Sequence, residues 1–374
     1  MNLLVVGAFE ANAHVAHAIN TVKMAQGFAR LGHEVTILCR RPQRGAVDPA
    51  ALAKAYGLTE PLSWIQLPYL VGQHWVFALA SLPVLLRKKP DLVFARNYTV
   101  PLLSSRLGIA TVAESHAHPD NRTAPFMHLV STTPYPSFRL WVTISRRLAD
   151  HYVSLGVPRD KLIVLPDAVD LQLFERPAVT PPSPYYGEKK AVAYVGHLYD
   201  YKGIPTILEA AALLPEADFH LVGGLPQDIR RQKTRIRQMG LFNVTLHGLY
   251  PHGQIPPFLW NADVLLLPPS AKHPSAAWTS PVKMGEYLAS GTPVVATAVP
   301  ALRDWLTGDE VRFVAPDDAG ELMDGILAVL RDPDYAARLS QAGLEKASTL
   351  SYRHRAARIV ERIGSLHRKE NLAP

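Results

Sequence analysis

A helix start, a cation and a carboxylate fall within two turns of one another in the stretch Thr279-Ser280-Pro281-Val282-Lys283-Met284-Gly285-Glu286. Ser280 is a natural N-cap and Pro281 a natural first helical residue, because its missing N–H would have had no partner there. Gly291 and Pro293 end the helix, and the apolar run Val294-Val295-Ala296 follows. The amides of Val282 to Met284 are left without intrahelical acceptors at the positive end of the dipole, which makes a site for phosphate. Lys283 opposes that dipole and is better placed once an anion arrives. Glu286, one turn on, can accept hydrogen bonds from vicinal hydroxyls such as those of ribose. An ordinary exposed Lys/Glu pair is the plain alternative for the same residues.

A second element is Ala193-Tyr194-Val195-Gly196-His197-Leu198-Tyr199-Asp200-Tyr201-Lys202-Gly203. An apolar run enters a glycine that allows close backbone approach, and His197 and Lys202 can then converge on a diphosphate. In the first half, Glu114-Ser115-His116 follows another apolar run, so a histidine with a nearby carboxylate can bind a sugar hydroxyl or handle a proton. Arg96 ends a further run and faces either an acceptor or the edge of the core. Neither His116 with His118 nor His14 with His17 has a third ligand at recognisable spacing, so no metal site is expected.

The whole chain restricts what these groups serve. It has 374 residues, 48% hydrophobic and 19% charged, the balance of a packed protein with room for two domains. The net charge of +7, from 39 basic and 32 acidic side chains, favours anionic partners. No basic stretch is interleaved with aromatics, so nucleic acid is not expected. The single cysteine, Cys39, ends an apolar run and reads as a buried strand thiol in a reducing, cytoplasmic setting. The start, Met1 to Gly7, reads as a first strand and not a signal peptide. Leu67 to Leu86 has no Asp, Glu, Lys or Arg and is followed by Arg87-Lys88-Lys89. Pro68, Gly72, Gln73, His74, Ser81 and Pro83 interrupt it, so a helix at the membrane surface, on the inner face, fits better than a span.

Strand-like runs alternate with helical stretches in both halves, as right-handed βαβ units of a parallel sheet require. In the first half they fall at Leu3–Val6, Glu34–Cys39, Pro90–Ala95, Ala110–Glu114, Trp141–Ser145 and Ile163–Pro166. In the second half they fall at Ala191–Val195, Asp218–Val222, Val244–His247, Val264–Leu267, Val294–Thr297 and Arg312–Val314. Between them Pro177, Pro181, Pro182, Pro184 and Gly187 form a stiff connection. The domains are therefore expected at 1–170 and 191–350, with a Pro-rich linker at 171–190. A basic helix at 351–374 carries the apolar stripe Ile359, Ile363 and Leu366 and is expected to pack back on the N-terminal domain. Ligands belong at the carboxyl ends of such strands, with the two domains facing across a cleft.

In this order the phrases resemble the retaining GT-B glycosyltransferases of family 4, also called glycosyl transferases group 1, over essentially the whole chain. Arg30-Leu31-Gly32-His33-Glu34-Val35-Thr36 is similar to that family's second-strand entry. Val142 to Ser145, Leu155 to Pro158 and Lys161 to Asp170 are similar to its approach to the hinge. Gly196 to Gly203, Asn243 to Gly248, Ala262 to Val264 and Glu286 to Ala296 complete the likeness. The resemblance implies a UDP-, GDP- or ADP-linked sugar donor, base contacts near Gly248 and Tyr250, ribose on Glu286 and diphosphate on Ser280, Pro281, Val282 and Lys283. It further implies that Lys202 neutralises the leaving group, with no cofactor and no divalent metal, and that His116 contacts the donor sugar. The acceptor side would include Asn12, His14, Arg96 and Glu114, the acceptor being a sugar or a lipid-linked glycan.

Three departures stand out. Trp278 occupies the place, eight before Glu286, where the family usually has a second glutamate. His197 stands where an arginine often sits. Ala11-Asn12-Ala13-His14-Val15-Ala16 replaces paired glycines. A nucleotide-sugar 2-epimerase, or a non-catalytic nucleotide-sugar-binding or membrane-peripheral protein, would share this architecture. A dehydrogenase would not, because no G-x-G-x-x-G turn follows Gly7.

Overall fold

Alternate residues of the central strands are buried into different cores, which is why their sequences read as unbroken apolar runs. Leu3 and Val5 pack into one core with Phe28, Phe94 and Val112, while Leu4 and Val6 pack into another with Phe77, Leu85 and Val93. The structure, a computed structural model, describes residues 1–370 apart from 14, 70–74, 117, 119–135, 279 and 281. It divides into two units: residues 1–168 with the segment from Ser351, and Val169–Leu350.

The first unit holds, among the described residues, a parallel seven-stranded sheet of β1 (Asn2–Glu10), β2 (Glu34–Arg40), β3 (Ser63–Leu67), β4 (Leu92–Ala95), β5 (Thr111–Ser115), β6 (Phe138–Thr143) and β7 (Leu162–Val164). Their spatial order is β3-β2-β1-β4-β5-β6-β7. The second holds β8 (Lys190–Val195), β9 (Ala217–Val222), β10 (Val244–Gly248), β11 (Val264–Leu267), β12 (Val294–Thr297) and β13 (Arg312–Val314), in the order β10-β9-β8-β11-β12-β13. Both are Rossmann-like sheets. In each, the order reverses beside the first strand of the unit, at β1/β4 and β8/β11, where the crevice for a ligand opens.

The helix Tyr352–Glu370 packs on the first unit. Tyr352, Ala356, Ile359 and Leu366 enter the same core as Leu3 and Phe28. Gly27 makes this approach possible, since a Cβ there would lie 2.5 Å from the Tyr352 carbonyl oxygen. Tyr352 also donates to Asn20 Oδ1 at 2.6 Å.

Some elements differ from the sequence expectation. The apolar stretch from Leu67 is not one element: β3 ends at Leu67 and a helix spans Trp75–Lys88 with Pro83 inside it. Pro83 leaves the carbonyl of Leu79 without its usual donor, and Leu79 is 60% exposed, so water can take that place. Among the described residues no helix is long and apolar enough to cross a membrane. The helix Pro333–Ser348, with Asp332 accepting from the Tyr335 amide as its N-cap, follows the helix Ala319–Arg331 after that single residue. The stretch 171–190 belongs to the second unit. It contains the short helix Leu171–Phe174, buries Phe174 and stacks Tyr185 on His220 at 4.2 Å between ring centroids.

Candidate functional site

β8 delivers its residues to the β8/β11 crevice. Tyr194 near its end is buried, and Gly196 follows with φ of +147°. A side chain at Gly196 would collide with Nζ of Lys283, so the glycine opens the path by which this lysine reaches the crevice. Lys283 lies on the helix Val282–Ala289, donates to the Tyr194 hydroxyl at 2.9 Å and sits 4.1 Å from that ring's centroid. Tyr194 in turn donates to the carbonyl of His197 at 2.7 Å.

Lys202 closes a 3-10 turn, Asp200–Lys202, and Gly203 after it has φ of +84°. A Cβ at Gly203 would overlap the carbonyl of Pro268, so this turn too requires glycine. Lys202, Lys283, Tyr194, Pro268 and Pro269 line one cavity at the switch point. Burial, then the charge of Lys202, pushes the Lys283 amine down to about 7, with Glu286 opposing. Burial lowers Lys202 as well. The nearby carboxylates are engaged elsewhere: Asp200 with Arg235 at 3.2 Å and Arg231 at 3.7 Å, and Glu286 with His252 at 2.8 Å. Two cations beside a helix start form an environment that an incoming anion improves.

The other sequence-selected residues of this unit gather around that point. Gly248, with φ of +81°, accepts from the Gly223 amide at 2.6 Å, and Tyr250 packs edge-on against Phe258. The same loop continues into His252, which holds Glu286, so the expected base loop and ribose carboxylate are tied together. Ser280 is buried and Val282 half-buried, while Pro281 lies outside the described residues. His197 stacks on Tyr199 at 5.0 Å between ring centroids, and partial burial, then the charge of Lys283, lowers its pKa. The sequence does not mark Tyr194 or His252 as site residues. Tyr194 reads as one more apolar strand position, and His252 is 34 residues from its partner.

In the first unit, Arg96, Glu114 and His116 come together at the ends of β4 and β5. His116 Nε2 lies 2.5 Å from Glu114 Oε1, and Arg96 Nε lies 3.4 Å from the same oxygen. Two further residues complete the cluster: Asp167, 3.4 Å from His116 Nδ1, and Arg355, which binds Glu114 Oε2. Burial alone would raise the Glu114 pKa, but Arg355, His116 and Arg96 outweigh it and hold the carboxyl well below its usual range. Asn12 sits exposed in the turn after β1, and His14 lies outside the described residues.

Fold and site together define a double Rossmann-like α/β protein whose second unit sets two lysines on one cavity beside the helix that carries Glu286. Two family models match the chain: Glycosyltransferase Family 4 over residues 19–173 and Glycosyl transferases group 1 over residues 189–332. The chain belongs to this family, the group 1 glycosyltransferases. It is 29% identical over 215 residues to WcaL of Escherichia coli (strain K12), a proposed colanic acid biosynthesis glycosyltransferase, covering 55% of this chain and 52% of that one. The chain thus spans about half the length of the curated relatives it matches. Its fold is that of sucrose-phosphate synthase from Thermosynechococcus elongatus (TM-score 0.74, 19% identity, 100% of both chains). It is also that of Anabaena HepE in complex with UDP (TM-score 0.73, 15% identity, 98% of this chain and 100% of that one).

Proposed function

We propose that this protein is a retaining, metal-independent glycosyltransferase. It moves a sugar from a UDP-, GDP- or ADP-linked donor to an acceptor hydroxyl in glycan, envelope or glycolipid biosynthesis. The observation that carries this reading is the pair Lys202 and Lys283 on one cavity, at the start of the helix that bears Glu286. The diphosphate oxygens meet both lysines and the free amides, and the ribose hydroxyls donate to Glu286. The bond between the sugar's anomeric carbon and the diphosphate oxygen breaks as the acceptor oxygen bonds to that carbon on the same face. The acceptor's proton passes to the departing diphosphate. Lys202 and Lys283 stabilise the charge that builds there, the task a divalent cation performs in other sites. His116 is assigned to the transferred sugar. The UDP bound by HepE and the place of WcaL in colanic acid biosynthesis support the donor and pathway class.

An anionic membrane surface is part of the same proposal. On the helix Trp75–Lys88, Trp75, Val76, Leu79 and Leu86 are 41%, 58%, 60% and 52% exposed, and Arg87 and Lys88 end the helix. This apolar ridge with a basic end suits acidic headgroups over an acyl boundary.

Turnover of UDP-, GDP- and ADP-hexoses in EDTA, with the product anomer read by NMR, tests the assignment. The expected result is release of one nucleoside diphosphate with retained configuration, and sedimentation of the protein with anionic but not zwitterionic vesicles. A metal requirement or an inverted product contradicts the mechanism. Absence from anionic vesicles contradicts the membrane assignment.

A further inference from the structure

We propose that Arg355, on the C-terminal helix, is a positioning residue for the transfer reaction, fixing the Glu114 carboxylate and the Asp167 segment on either side of His116. This rests on the assignment of His116 to the transferred sugar.

Arg355 sits where the apolar stripe of its helix enters the core, between Tyr352 and Ile359, and is only 5% exposed. A guanidinium at such a depth needs its donors satisfied. It donates to the Pro166 carbonyl at 2.9 Å, to the Leu165 carbonyl at 3.5 Å and to Glu114 Oε2, and Nη1 also lies 3.7 Å from Met24 Sδ. Every oxygen it grips belongs to a segment that holds His116. Glu114 Oε1 is on the Nε2 side of the imidazole, and Pro166 immediately precedes Asp167, which is on the Nδ1 side. Stability alone does not account for this arrangement, because an apolar replacement of a buried ion pair is often neutral or stabilising. What an apolar residue would not supply is a fork that holds the Glu114 carboxylate and the backbone leading into Asp167 at once. Arg96 assists from outside: it reaches Glu114 Oε1 at 3.4 Å and is less buried than Arg355.

Arg355→Met and Arg355→Lys test the proposal with two readouts. In steady-state transfer, Arg355→Met is expected to lower kcat by about 10²-fold while the donor KM changes by less than about twofold. Arg355→Lys, which keeps the charge and loses the fork, is expected to fall between the two. The second readout needs no turnover: the His116 imidazole N–H bonded to Glu114 is expected as a downfield proton signal, identified by its loss in Glu114→Gln. Arg355→Met is expected to broaden or abolish it. A wild-type kcat and an unmoved signal in a folded Arg355→Met protein overturn the proposal; if that variant does not fold, the same outcome in Arg355→Lys does so. An inactive wild-type protein would instead overturn the function proposed above, with the NMR signal still deciding the role of Arg355.

Discussion

Lys202→Ala is expected to lower kcat by about 10²–10³-fold, the usual loss when one preorganised donor to a developing anion is removed. The basis is where Lys202 sits. It is brought to the β8/β11 switch point by a turn that only Gly203 permits, beside a second lysine and with Asp200 committed to Arg231 and Arg235. In the free protein the charge of Lys283 is disfavoured first by burial and then by repulsion from Lys202. Removing one relieves that repulsion, so the melting temperature is expected to hold or rise while activity falls, a trade often seen where a site carries strain for function. Unfolding of Lys202→Ala would instead mark the lysine as a structural residue. Steady-state kinetics and a melting curve on one preparation distinguish the two.

The second large effect is a pH dependence of donor binding that Lys283 imposes. Burial, with Lys202 adding to it, favours the neutral amine and brings the group from 10.5 to about 7. An anionic diphosphate favours the ammonium. Binding therefore takes up a proton, and affinity is lost as pH rises through 7, by up to about tenfold per unit. The window from pH 7 to 9 lies above the ionisation of a terminal phosphate, which falls near ~6. Lys283→Arg keeps its charge and is expected to flatten the profile. Lys283→Met is expected to bind weakly at every pH. Calorimetric titration of UDP in buffers of different ionisation enthalpy measures both affinity and proton uptake. The same slope and uptake in Lys283→Met would remove Lys283 from the diphosphate site.

Much of this was legible in the sequence because the signals are local. Alternation of strand and helix, the glycines at positions 196 and 203, and the helix from Val282 each follow from short-range chemistry, and every strand of the two parallel sheets but β3 is an expected one. The missing pieces depend on long-range packing. β3 was hidden because Ser63-Trp64-Ile65-Gln66 is not an apolar run and only Leu67 is buried, so pairing with β2 from Thr36 to Arg40 is what makes it a strand. Asp167 and Arg355 join Glu114 and His116 from segments brought together by the C-terminal helix, and nothing in their local sequence marks them. His252 meets Glu286 for the same reason. In a basic helix, Arg355 has the spacing of a stripe residue and the chemistry of a surface one, and only the cluster it enters explains its burial.

The central claim, that the second unit holds a nucleoside diphosphate on Lys202, Lys283 and Glu286 without a metal, is tested most directly by thermal shift with UDP, GDP, ADP and NAD, each with and without EDTA. A nucleotide at about one hundred times its dissociation constant adds roughly 2.7 kcal/mol of stability, several degrees for a protein of this size. The account predicts a shift with one nucleoside diphosphate that survives EDTA and is lost in Lys202→Ala. A shift with NAD alone, or one that EDTA abolishes, would contradict it.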